Sequence, residues 1–306
     1  MIGLLLIGVL LIISIVWVLR PTSPSANARA TGTTTVPRSG TQAVPSTGAP
    51  TSTTSASATD PFGTATAQYV AGRSGTIAAE AYDLTTGQSW DLGDSEPQDE
   101  ASIVKVDILE ALLAQSGGQG LSTADQGVAQ DMIENSDNDS ATDLWDAAGS
   151  TSGIASFNSS AGLTDTTPSP CVECAGFPWP GWGLTKTVPA DQITLLRRIV
   201  QPNSLLTTDE RNYALGLMEN VTASERWGVT GGVPAQATVA LKNGWLPLDT
   251  SDTDWQINSI GWISGQGRNY LLAVLTTGDP SEQYGIDTID QISATVWQDL
   301  GESGQS

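Results

Sequence analysis

Histidine is absent from the 306-residue chain. That absence excludes every nucleophile system built on a serine or cysteine beside an imidazole, and nearly every catalytic zinc site. A reactive hydroxyl in this chain must therefore be served by Lys, Glu, Asp or Tyr. Lysine is almost as scarce, with only Lys105, Lys186 and Lys242, so a lysine inside a motif comes from a very small pool. Bases are few: 12 Lys and Arg stand against 33 Asp and Glu, for a formal charge of -21. Such a field repels phosphate backbones, which excludes a nucleic-acid partner. The two cysteines, Cys171 and Cys174, cannot complete a structural zinc site without histidine, and no metal or cofactor is expected. There is no internal repeat. What remains, with 39% hydrophobic residues, is enough for a buried core.

Long apolar runs are also lacking, except at the beginning. Ile2 to Leu19 is apolar apart from Ser14 and two glycines, and Arg20 and Pro21 close it, so residues 1–20 read as a signal anchor or a signal peptide. Ala26-Asn27-Ala28 has the small-x-small form of a cleavage site. Residues 21–60 are nearly all Pro, Thr, Ser, Ala and Gly, the composition of a disordered linker that cannot bury enough to offset its ordering entropy. One globular unit is expected over residues 61–306, extracytoplasmic and either anchored or secreted, and monomeric. Only one of the 33 acids precedes it, so the unit is strongly acidic.

The unit opens with a short helical stretch near Ala65 to Gly72. Thr76 to Leu84, a Thr85-Thr86-Gly87 turn and Ser89 to Leu92 then predict a β-hairpin. Ile103, Val106, Leu109, Leu112 and Leu113 recur at helical spacing, so Ser102 stands at the start of a buried helix. Ser122 and Asp125 open the next helix, Asn135 to Asp139 break it, and Ala141 to Ala148 resume. Leu163 to Lys186, rich in Pro, Gly and Trp, reads as a loop. Further helices are predicted at Ala190 to Val200, Thr208 to Asn220 and Ser281 to Leu300, and strands at Thr238 to Gly244, Trp255 to Ser264 and Tyr270 to Thr276. That order predicts an α+β fold, an antiparallel sheet flanked by helices, with a helical insertion.

Three strings carry the chemistry: Ser102-Ile103-Val104-Lys105, Ser136-Asp137-Asn138 and Lys242-Asn243-Gly244. The first starts a buried helix, the second lies between helices, and the third ends a strand. Two of the three lysines are used. Ser102 and Lys105, three apart on one helical face, let an amine reach a hydroxyl. Burial and a second cation, Lys242, depress the Lys105 pKa and free it to act as a base, while the helix amino terminus favours developing negative charge. Lys242 is also a docking charge for a substrate carboxylate.

In order and context these strings resemble those of the class A β-lactamases and related penicillin-binding proteins, over roughly residues 64 to 300. The chain looks most like the compact actinobacterial serine hydrolases of that superfamily. The resemblance implies a β-lactamase/transpeptidase-like fold and a Ser102 acylated by β-lactams or D-alanyl peptides of peptidoglycan. It implies that Ser136 relays a proton to the leaving nitrogen, that Asn138 holds the substrate amide, and that the Ser102 and Trp245 backbone N–H groups form an oxyanion hole. Asn243 takes the place of the usual Thr or Ser, where it donates to a carboxylate with different reach; Gly244 completes that string. Only 34 residues separate Ser102 from Ser136, which implies a reduced all-helical subdomain. No E-x-x-x-N string marks a deacylating glutamate; Glu173 is the acid nearest the expected place, a candidate hydrolytic base that, squeezed between Cys171 and Cys174, reads more readily as an exposed loop charge. The alternative reading is a non-catalytic module that keeps the fold and binds cell wall or a protein partner. Asn243 and the altered loop favour it, and retention of five motif residues together opposes it.

Cys171-Val172-Glu173-Cys174 reads as a disulfide closing a tight loop turn. Asp137, Asp139 and Asp143 read as helix capping and solvent charge rather than a calcium loop. Trp179, Trp182, Trp227 and Trp245 are expected near the cleft, where they read as packing for loops around a small core rather than as stacking platforms for sugar or peptidoglycan. Arg268, before the last strand, is a turn charge or a carboxylate partner.

Overall fold

The computed structural model describes residues 60–93, 96–248 and 253–302, all within one compact unit. The expected anchor or signal at 1–20 and nearly all of the expected linker at 21–60 lie outside the described residues. Among the described residues, no helix is long and apolar enough to cross a membrane.

A five-stranded antiparallel sheet forms the centre, with β1 (Thr76–Asp83), β2 (Ser89–Gly93), β5 (Thr238–Pro247), β6 (Trp255–Gly265) and β7 (Arg268–Asp279) in the order β2-β1-β7-β6-β5. The hairpin and the three late strands stand where alternation and turn residues predicted them. β7 is buried without a break from Tyr270 to Thr276, because helices cover both faces of the sheet. Those helices are α6 (Pro189–Val200), α7 (Thr208–Glu219) and α8 (Glu282–Glu302), while α1 (Thr64–Ala71) packs on α8.

The helical part consists of α2 (Val104–Gln115), α3 (Thr123–Glu134), α4 (Asn138–Ala147) and α5 (Ser150–Ala161). α2 is buried almost all round: Val104 to Ala111 are buried without exception, Lys105, Asp107 and Glu110 among them, as befits a helix enclosed on every side. Ser122 caps α3 through Asp125, and Asp137 caps α4 through Ser140, so Asp137 serves as a cap as expected. Sequence reasoning missed α5. Its Ser- and Gly-rich sequence has poor intrinsic helicity, and only Ile154, Phe157 and Ala161 mark a buried apolar face.

A second, two-stranded sheet pairs β3 (Gln98–Asp99) with β4 (Lys186–Thr187). Asp99 and Lys186 form an ion pair of 2.8 Å across it. This short ladder ties the segment just before Ser102 to the end of the 163–186 loop, and so hangs that loop beside Ser102. Within the loop Cys171 and Cys174 are joined by a disulfide.

Candidate active site

Ser102 sits in a single 3-10 turn, Ala101–Ile103, that runs directly into α2. The turn is held from below by Asn258 of β6, whose Nδ2 donates to the carbonyls of Asp99 and Glu100, each at 2.8 Å. It is also approached by β5 so closely that a Cβ at Gly244 would lie 2.7 Å from the Ser102 nitrogen and 2.8 Å from that of Ile103. Only glycine allows this contact, which accounts for the third residue of the Lys242-Asn243-Gly244 string. Ala101 has φ of 51° and Ser136 φ of 55°, left-handed conformations that cost energy in residues other than glycine. Two of the four such residues in the described chain thus flank this one site.

The Lys105 amine is the hub. Its Nζ lies 3.0 Å from Ser102 Oγ, 2.6 Å from the Ser136 carbonyl, 3.1 Å from Ser136 Oγ and 2.8 Å from Asn138 Oδ1. The face of Trp182 lies 5.0 Å from it. Ser136 Oγ is shared, since the Lys242 Nζ donates to it at 2.9 Å and to the Asn243 carbonyl at 2.9 Å. A chain of contacts therefore runs Ser102, Lys105, Ser136, Lys242.

Burial holds the Lys105 pKa well below the usual lysine range, and the nearby Lys242 charge lowers it further. Burial also brings Lys242 down to about 8, against the opposing pull of the Glu225 carboxylate. Glu225 itself is pushed up by burial, more than the two lysines bring it down. Beneath the site three further acids are fully buried on or beside α2. Asp107 is raised to about 8 by desolvation, and Glu100 and Glu110 are raised well above the carboxylate range for the same reason.

Ser102, Ser136, Asn138 and Trp245 line one cavity of about 310 Å³ together with Trp179, Trp182 and Trp255. Lys105 and Lys242 are fully buried behind its wall, so any pull of Lys242 on a substrate carboxylate passes through the Ser136 side of the cleft.

Asn243 and Glu173 do not take the catalytic and substrate-binding places expected of them, and Arg268 and Trp227 find other partners. The Asn243 amide is fully buried and donates to the carbonyls of Glu225 at 2.7 Å and Trp227 at 3.1 Å, so it pins the segment before Gly228 to β5 and has no donor left for a substrate carboxylate. Strand alternation turns it away from the face that Lys242 and Gly244 present. Glu173 is exposed at the disulfide turn and does not line the Ser102 cavity, and no other acid among the described residues does. Arg268 donates to the Trp297 carbonyl at 2.6 Å and lies over the Trp297 ring, which fastens β7 to α8. Trp227 likewise stands outside the cavity wall and braces Trp245 edge-on, with ring centroids 6.0 Å apart.

Sequence reasoning missed Asn258, Glu225 and the part of Trp255 in the cavity. Asn258 was visible only as one of several polar residues, Gln256 and Ser259 among them, in an otherwise apolar strand, a pattern that marks buried hydrogen-bonding roles. Glu225 gave no signal. Among the described residues there is no cluster of three or more metal-ligating side chains.

An antiparallel sheet with helices on both faces, and a serine at the foot of a buried helix facing two buried lysines, define a β-lactamase/transpeptidase-like architecture. The family described as "Beta-lactamase enzyme family" matches residues 118–300, so the chain belongs to it. The matched span begins after Ser102 and Lys105. No curated protein matches the chain. Among solved structures, TLA-1 extended-spectrum β-lactamase is similar with a TM-score of 0.66 at 17% identity, over 76% of this chain and 96% of that one. A class A β-lactamase from Bacteroides cellulosilyticus DSM 14838 is similar with a TM-score of 0.66 at 15% identity, over 77% and 95%. A point mutant of PBP-A, solved as an acyl-enzyme complex with penicillin G, gives 0.63 at 22% identity, over 76% and 93%. These likenesses show the β-lactamase/transpeptidase-like fold.

Proposed function

We propose that this protein is an exported serine hydrolase of the penicillin-binding type, in which Ser102 is acylated by β-lactams or by D-alanyl peptides of peptidoglycan. The observation that carries the reading is the convergence of the Lys105 amine on Ser102 Oγ, Ser136 and Asn138. In its neutral form Lys105 takes the Ser102 proton as Oγ attacks the carbonyl carbon. The oxyanion is met by the backbone N–H groups of Ser102 and Trp245. As the C–N bond breaks, the Ser136 hydroxyl gives its proton to the departing nitrogen and takes one back from Lys105 on one side, while Lys242 holds its oxygen from the other. Serine oxygen is then bonded to the acyl carbon, the amine has left protonated, and Lys105 is neutral again. Asn138 Oδ1 and Nδ2 hold both the lysine and the substrate amide.

Release of the acyl group needs an activated water. No acid lines the cavity among the described residues, which supports slow release and a lasting adduct, as in a penicillin-binding protein rather than a fast lactamase. Residues 1–20 would supply the route of export and any membrane attachment.

Intact-mass spectrometry of residues 61–306 with a β-lactam, beside Ser102→Ala, tests the reading. The expected result is a single adduct persisting for hours on the native chain and none on the variant. An equal adduct on Ser102→Ala would overturn the nucleophile. No adduct with any β-lactam would favour the non-catalytic module.

A further inference from the structure

The cavity that holds Ser102 has an uncommon wall. Among the described residues none of the side chains that line it is charged, and four are tryptophans: Trp179, Trp182, Trp245 and Trp255, with Pro180 and Pro247 between them. They come from two separate segments, the disulfide-bearing loop on one side and the paired ends of β5 and β6 on the other. Their placement is fixed by further contacts. The Trp182 Nε1 donates to Thr142 Oγ1 at 3.0 Å, and Trp227 stands edge-on against Trp245. At the mouth the wall is left open to solvent: Trp179 is 47% exposed and Leu248, next to Pro247, is 36% exposed. Among the described residues these are the only exposed large apolar side chains. Apolar surface gathered in this way at one place, continuous with a nucleophile, marks a surface that something covers.

We infer that this slot binds an aromatic, uncharged side chain on the acyl donor, and that indole stacking selects such donors over ones with a short aliphatic side chain. The inference rests on acylation at Ser102 and names the substrate class that the site takes. Indole rings contributed by two separate segments suit a planar ring in offset or edge-on contact. A carboxylate on that side chain would find no partner in the wall and would meet the field of a chain with a formal charge of -21. A side-chain ammonium would have π faces but, among the described residues, no acid to pair with there.

Two penicillins with the same ring system and carboxylate, one carrying a phenylacetyl and the other an acetyl side chain, differ only by the phenyl ring. Second-order rates of adduct formation are read by mass spectrometry for both. The expected rate ratio on the native chain is at least tenfold in favour of phenylacetyl, equivalent to about 1.4 kcal/mol. Trp179→Ala, which removes an exposed ring with little packing to lose, should cut that ratio at least threefold, and Trp179→Phe should restore most of it. A native ratio near one, or one unchanged in Trp179→Ala, would overturn the inference. Binding is also read without chemistry, by tryptophan fluorescence of Ser102→Ala titrated with the same two compounds. A saturable change with the phenylacetyl compound alone supports the slot even where the native chain forms no adduct, and so separates failure of the nucleophile from failure of the slot. No saturable change together with no adduct would overturn both.

Discussion

Two amines only one serine apart cannot both stay charged when buried, and the consequences lie at single residues. Lys105 is the deeper in its effect: burial and Lys242 together favour its neutral form, the form that accepts a proton. Lys242 keeps its proton to about pH 8. The rate of Ser102 acylation should therefore rise with pH through the depressed Lys105 range and fall above about pH 8, as Lys242 loses its charge. Lys242→Ala removes the charge that holds Lys105 down, so its ascending limb should move to higher pH; stopped-flow or quenched mass spectrometry across pH 5 to 10 reads this. A limb that stays in place would show that burial alone sets the Lys105 pKa. Lys105→Ala should slow acylation by about 10²–10⁴-fold, the worth of a positioned general base. Gly244→Ala is a different probe, since its Cβ meets the backbone nitrogens of Ser102 and Ile103. Its expected outcome is a folded domain that labels at least a hundredfold more slowly, checked by circular dichroism beside the labelling rate.

At the scale of elements, the site is assembled by pieces that hold one another. β6 grips the turn before Ser102 through Asn258, β5 presses Gly244 and Lys242 against it, and the β3–β4 ladder brings the tryptophan loop alongside. Asn258→Ala leaves the carbonyls of Asp99 and Glu100 without that donor. The Glu100 carbonyl still accepts from the Ile103 N–H at 3.3 Å, so the loss rests chiefly on the Asp99 carbonyl and should be about 1–3 kcal/mol. A urea titration with unchanged slope and a lower midpoint would show it. An undiminished midpoint would mean that water replaces the amide. The elements legible in the sequence were those with strong punctuation: the 76–93 hairpin, the caps at Ser122 and Asp137, the Pro189 helix start and the three late strands. α5 was illegible because its burial depends on three apolar residues in a run of serines, and β3 and β4 because two-residue strands carry no period at all.

The whole molecule carries more acid than its fold can keep ionised. Glu100, Asp107 and Glu110 are fully buried, and desolvation raises all three, Asp107 to about 8. In the unfolded chain they ionise near pH 4, so the folded state binds extra protons above that point. On this account their contribution to stability is full below about pH 4 and falls as pH rises from there towards neutrality, by up to about 1.4 kcal/mol per pH unit for each such group. Lys105 and Lys242, both lowered, act with the opposite sign: the cost of burying Lys242 is full below about pH 8 and is relieved as the pH rises from there to about 10, and that of Lys105 is relieved from its own depressed range upward. Melting temperature should be higher at pH 5 than at pH 7.5, and Asp107→Asn should flatten the difference. A melting temperature that rises steadily from pH 5 to 7.5 would show these carboxyls ionised in the fold.

By itself the sequence determined the chemistry that was available: without histidine, a serine nucleophile required an amine, and three lysines left few choices. It also determined the order of the three strings, because helix starts, breaks and strand ends are local properties written in neighbouring residues. Tertiary structure decided which side chains face the cleft. Asn243 and Lys242 are adjacent in sequence, yet strand alternation turns one into the packing against Trp227 and the other towards Ser136. Glu173 had the right position along the chain, and the disulfide turn carries it to the surface. The tryptophan wall joins residues about seventy positions apart, and the depression of the lysine pKa values comes from burial. Both are properties of distances and solvent exclusion that exist only once the sheet and the helices have closed around Ser102.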